Sequence, residues 1–176
     1  MRTLGKAVVL LLAVAFLAGA WQSRYGRAER PEDRSPAPFR AAPVERSRPS
    51  RPVPELVAVR AARREGYDRV LFTFRGSMPG YRVRYVPRVT DPGGRRLPLR
   101  GQAFITVAFE PARARDPGGA STFEAGTLTP DYPNLRQVRF AGDFEGRVSF
   151  GIGVAERGGF RVSELRDPAR VAVDLR

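Results

Sequence analysis

The chain contains neither cysteine nor histidine. Ser-His-Asp and Cys-His nucleophile arrangements and the usual zinc sites therefore cannot be assembled from it. Carboxylate chemistry remains, since two acids facing each other across a cleft can hydrolyse a glycosidic bond. Asp131, Asp143 and Glu145 are the candidates, and the same hard oxygens are what the chain could offer to calcium. Asp143-Phe144-Glu145-Gly146, however, stands between two strand-like segments, where acids stabilise a turn. The expectation is no catalytic residue, no metal ion and no cofactor, with a carboxylate-dependent glycoside hydrolase kept as the third of three readings.

The other chemistry is that of arginine. The chain has 31 basic residues against 18 acids, a formal charge of +13, and Lys6 is its single lysine. A guanidinium fork pairs with carboxylate or phosphate in two-pronged fashion. Strand parity sets Arg69, Arg75, Arg82 and Arg84, with Arg170 and Arg176 near the end, on faces opposite the apolar side chains. A second outward stripe, Ser149, Gly151 and Gly153, has almost no side chain. Such a stripe lets a glycan strand or another backbone approach closely, or marks a strand that bends. The expected ligand-binding residues are Arg82, Arg84, Arg69, Arg75, Ser149, Gly151 and Gly153. The alternative for these arginines is a solvated outer face that keeps a small domain soluble.

Those residues need elements to position them, and the chain is organised in three parts. Met1 to Lys6 is a basic start, Ala7 to Leu17 an apolar run, and Ala18-Gly19-Ala20 a small-residue cleavage site, which together read as an export signal. Peptidase cleavage is expected after Ala20, with Ala18 and Ala20 as its recognition residues. The alternative is an uncleaved membrane anchor, although the apolar run falls short of the roughly 20 residues of a spanning helix. Cleavage removes Arg2 and Lys6 and leaves a charge of +11. From residue 21 to 54 proline and arginine dominate, and so few large apolar groups cannot offset the entropy of ordering, so this part reads as a disordered linker.

Residues 55 to 176 carry period-2 apolar segments. Val57 and Val59 alternate, then Val70, Phe72 and Phe74, then Tyr81, Val83 and Tyr85, then Ile105, Val107 and Phe109. Val138 and Phe140 follow, then Val148, Phe150, Ile152 and Val154, then Phe160 and Val162, and last Val171, Val173 and Leu175. Turn signals separate them, among them Asp91-Pro92-Gly93-Gly94, Gly158-Gly159 and Asp167-Pro168. No sustained 3.6 period competes. The expected fold is all-β, two sheets packed face to face as a β-sandwich or flattened barrel. The segments from Val57 to Arg75 and from Phe160 to Arg176 echo each other as two hairpins, which points to internal symmetry.

Four segments carry a family resemblance: GYDRVLFTF from Gly66, GYRVRYV from Gly80, YPNLRQVRFAGDFEGRVSFGIGV from Tyr132 and FRVSELRDPARVAVDL from Phe160. Together they resemble the AMIN-like domain of secreted actinobacterial proteins, over nearly all of the folded part, with only Leu97 to Gly119 generic. The resemblance implies a divergent relative of the AMIN domains that precede the catalytic domains of N-acetylmuramoyl-L-alanine amidases and occur in secretins and pilus-assembly proteins. Those are two-sheet β-domains that target proteins to the envelope, in some cases by binding peptidoglycan. No enzyme domain follows Arg176 in the sequence, so a targeting module on its own is expected.

Exported positive charge meets lipid headgroups, wall phosphates or carboxylates. Nucleic acid is not expected, because the chain carries an export signal and lacks the aromatic-basic pattern of RNA-binding sheets. The reading is a non-catalytic, secreted envelope module. Its partner is a cell-wall polymer, peptidoglycan or a teichoic-type anion, or alternatively an envelope protein. The membrane enters only through an uncleaved signal segment.

Overall fold

Alternating apolar and polar residues put one face of a strand in the core and the other outside, as the burial of Tyr67–Arg75 and Tyr81–Val86 shows. The computed structural model describes residues 37–176 apart from residue 125; the expected signal segment with Ala18 and Ala20, and residues 21 to 36, lie outside the described residues. The strands are β1 (Val44–Arg46), β2 (Glu55–Arg64), β3 (Tyr67–Arg75), β4 (Tyr81–Val86), β5 (Ala103–Phe109), β6 (Thr127–Leu128), β7 (Leu135–Phe144), β8 (Arg147–Val154), β9 (Phe160–Leu165) and β10 (Ala169–Leu175). They form a six-stranded sheet, β1-β4-β5-β8-β7-β6, and a four-stranded sheet, β2-β3-β10-β9, with every pairing antiparallel. The described residues contain no helix. The fold is the all-β two-sheet sandwich that the periodicity predicts.

The two sheets meet through aromatic rings. Phe72 of β3 lies 4.9 Å from Phe109 of β5 and 5.1 Å from Phe150 of β8, and Phe74 lies 4.9 Å from Phe109, in the tilted and edge-on arrangements that ring quadrupoles favour. These four phenylalanines are at most 1% exposed, and burying each contributes about 1.5–3 kcal/mol.

The two echoing hairpins, β2-β3 and β9-β10, lie side by side in one sheet, joined where β3 pairs with β10 in the register Val70↔Val173. The symmetry is confined to that sheet, since the facing sheet has six strands. In β2 the expected alternation of Val57 and Val59 is displaced. Leu56 pairs with Phe74 and Ala58 with Thr73, so a bulge at Val57 resets the parity. Leu56 is then fully buried and Val59 packs against the core.

Residues 37 to 54 depart from the expected linker. Arg40 bridges Phe160 at the β9 edge through two 2.9 Å backbone bonds, and four residues later β1 pairs with β4 in the other sheet. The segment thus crosses between the sheets as a strap along one open side of the sandwich. Phe39 lies under the Arg161 guanidinium at 4.5 Å, Val44 packs against the core, and Arg48 Nη2 donates to both oxygens of Glu164 at 2.9 and 3.1 Å. Gly159 makes room for it, because a Cβ there would stand 2.8 Å from that of Phe39. Composition misreads this segment because its order comes from backbone pairing and ion pairs instead of an apolar stripe.

Candidate functional site

Of the arginines expected to meet a ligand, three are held by the protein's own acids. Arg69 donates from Nε to Asp174 Oδ1 at 2.6 Å and from Nη2 to Oδ2 at 2.9 Å, while Arg161 Nε reaches Oδ2 at 2.8 Å. Asp174 is fully buried, on the outer side of the four-stranded sheet, and its hydrogen bond holds the Arg69 pKa above its usual range. Arg75 donates to Glu55 at 2.6 Å, and Arg113 holds the other oxygen of the same carboxylate at 2.7 Å. Arg82 pairs with Glu45 of the strap at 2.6 Å, and its hydrogen bond draws the Glu45 pKa down. Arg170 donates to the Pro168 carbonyl, and the Arg176 guanidinium sits 5.9 Å from the Phe39 ring. Arg84 is exposed and has no hydrogen-bond or ion-pair partner among the described residues.

The small-residue stripe resolves into two parts. A Cβ on Gly151 would stand 2.7 Å from Leu99 Cδ1, and one on Gly153 would stand 1.8 Å from the Arg100 carbonyl oxygen. The loop after β4 folds back over the outer face of β8, pinned by Gln102 N to Val154 O at 2.9 Å and by Arg139 Nη1 to Pro98 O at 2.9 Å. Of the meanings open to such a stripe, close approach of the chain's own loop is the one realised, by the Arg100 backbone at Gly153 and by the Leu99 and Val89 side chains at Gly151. Ser149 remains outside the covered part.

What the covering loop leaves open is a groove on the outer face of the six-stranded sheet. Register sets the rows: Arg82 beside Ala108 beside Ser149, and Arg84 beside Thr106 beside Gly151. The small side chains of Thr106, Ala108 and Ser149 make the floor. One hollow, of about 460 Å³, is lined by Arg84, Arg88, the Val89–Pro92 turn, Phe144, Glu145 and Arg147. A second, of about 370 Å³, continues past Arg82 and Ala108 to the strap residues Glu45 to Arg48. The two share Glu110 and Arg147, whose charged atoms stand 4.0 Å apart. Asp91, on the rim, is occupied by Arg95 through the backbone N–H at 2.9 Å and Nε at 2.9 Å, which holds its pKa low.

Arg82, Arg84 and Ser149 are thus brought together, whereas Arg69 and Arg75 belong to the other sheet. Parity could also have found Arg147, which alternates with Ser149 on β8, and Thr106 on β5. Arg88 and Phe144 carried no such signal, since both lie in turns or strand ends.

Asp131, Asp143 and Glu145 do separate local jobs. Asp131 pairs with Arg136 at 2.9 Å, and Asp143 Oδ2 accepts the Ala114 N–H at 2.7 Å. Glu145 and Gly146, with φ of 50° and 75°, form the two-residue turn that joins β7 to β8. Among the described residues no three acids gather in a group that could hold a metal ion.

The family model of the AMIN-like domain matches residues 54–176, and the chain belongs to that family. No curated protein and no solved structure matches it.

Proposed function

We propose that this AMIN-like protein is a non-catalytic module of the cell envelope that holds peptidoglycan or an associated anionic wall polymer. Two things support the reading. Membership of the AMIN-like family suggests a wall-associated module, by the family's resemblance to AMIN domains. The observation that carries it to a place on the molecule is the groove over β4, β5 and β8, where Arg84 and Arg147 project beside a small-residue floor while Arg69, Arg75 and Arg82 are spent on internal ion pairs. Under this reading the protein is extracytoplasmic, exported by its first 20 residues and cut after Ala20. The test is co-sedimentation of purified protein with sacculi, with and without teichoic acids, across a salt series. Bound protein that is released as salt rises is expected, and no sedimentation under any condition overturns the reading.

A second reading, an interaction subunit of an envelope complex, rests on β2. It ends the four-stranded sheet, and from Ala58 to Arg64 no further strand pairs with its outer side among the described residues. Such an edge can receive a partner's strand. Arg60, Arg63 and Arg64 give this edge a positive charge.

A further inference from the structure

Resting on the wall-binding reading, we infer that the groove over β4, β5 and β8 is built for a mixed-charge glycopeptide, one carrying both carboxylates and a free amine, and selects against a uniform polyphosphate. The inference comes from which charges the fold leaves unsatisfied. Arg82 and Asp91 border the groove but are taken up by Glu45 and Arg95. Arg84, Arg88 and Glu145 line the same hollow and are all exposed. Between the two hollows Arg147 and Glu110 face each other at 4.0 Å, beyond hydrogen-bond reach, with side chains 49% and 64% exposed. The groove therefore presents guanidinium groups and carboxylates, charges of both signs, within the same two hollows.

A chain of phosphates repeats one sign at every unit and would bring like charge against Glu110 and Glu145 wherever it met Arg84 and Arg147. A wall glycopeptide suits the same arrangement, its carboxylates on the forks and its amine on the acids. Two further features match an extended sugar-bearing occupant. From Arg82 to Val86 the groove follows β4 for about 13 Å at roughly 3.3 Å per residue. Phe144, 57% exposed at the rim, offers an apolar face on which the C–H side of a sugar ring can rest.

The test uses the full chain and four probes: a muramidase-released disaccharide-peptide with a free side-chain amine, the same fragment N-acetylated at that amine, the same fragment with its carboxylates amidated, and linear polyphosphate. Acetylation is expected to weaken binding about three- to fivefold, as for loss of an exposed ion pair, and amidation to weaken it about tenfold, as for charge-assisted bonds to arginine. The double variant Glu110→Gln, Glu145→Gln should lose the discrimination against the acetylated fragment and bind polyphosphate more tightly than the wild type does. Both positions are exposed, and an unchanged unfolding midpoint confirms that the variant is folded. Polyphosphate bound as tightly as the free-amine fragment, with a ratio that the double variant leaves unmoved, overturns the inference while sacculus binding stands. A wild type that binds neither fragment nor sacculi overturns the functional reading and this inference with it.

Discussion

Arg69 and Asp174 face each other across the β3–β10 pairing and share two hydrogen bonds, of 2.6 and 2.9 Å, over a carboxylate with no solvent exposure. A buried charge of this kind costs several kcal/mol unless it is paired. Arg69 is therefore a structural residue, and its outward parity reflects a covered outer face, roofed by Tyr67, Phe39 and Arg161.

Arg69→Ala should accordingly destabilise the domain by about 2–3 kcal/mol, somewhat less than a full buried-pair break because Arg161 still holds Asp174. Urea unfolding measures this. Sacculus binding of the folded fraction should not change, and a variant that loses binding at full stability would return Arg69 to the ligand surface.

Gly153→Ala is expected to destabilise by about 1–3 kcal/mol, because the added methyl would displace the Arg100 carbonyl and the loop it belongs to. Were Gly153 a glycan contact, the same change would reduce binding at unchanged stability. Thermal unfolding and sacculus binding, measured on one preparation, separate the two.

The strap changes where a protease should stop. A segment that bridges both sheets through Arg40, Val44 and Arg48 is protected, so limited proteolysis should leave a resistant fragment beginning near residue 37. Phe39→Ala, which removes the ring beneath Arg161, should shift the cut toward residue 54. A wild-type fragment that already begins near residue 55 would contradict the strap.

Alkali provides a further check. Burial, then the hydrogen bond to Glu164, pushes the Tyr81 pKa up to about 12 from an ordinary value of 10. The folded state thus favours the neutral phenol. The resulting stability is fully present below pH 10, and is lost as the pH rises from there through about 12. Tyr85 is raised as well, chiefly by burial, and adds to the loss in the same direction. Unfolding free energy measured from pH 9 to 12 should fall, and Tyr81→Phe should flatten the decline. A slope identical in wild type and variant would contradict the burial of this hydroxyl.

Much of the fold is legible in the sequence because period-2 patterning is a local consequence of the pleat. Every strand with a buried face of Val, Ile or Phe announces itself, from Val70 to Phe74 and again from Val171 to Leu175. Strand β1, three residues long, and β6, two residues long, carry no period to read. At the site, parity correctly turns Arg82, Arg84 and Ser149 outward, but parity cannot tell an open outer face from a covered one. Whether Arg69 meets water or Asp174, and whether Gly151 meets a ligand or Leu99, depends on segments distant in sequence.

The most direct test of the wall-binding account is the sacculus affinity of Arg84→Gln, Arg147→Gln beside that of the wild type. Both side chains are exposed, so stability should move by no more than about 0.5 kcal/mol. Loss of two charge-assisted contacts should weaken binding at least about tenfold and remove most of its salt dependence. A folded double variant that binds sacculi with wild-type affinity and wild-type salt dependence would contradict the assignment of this groove as the wall-binding surface.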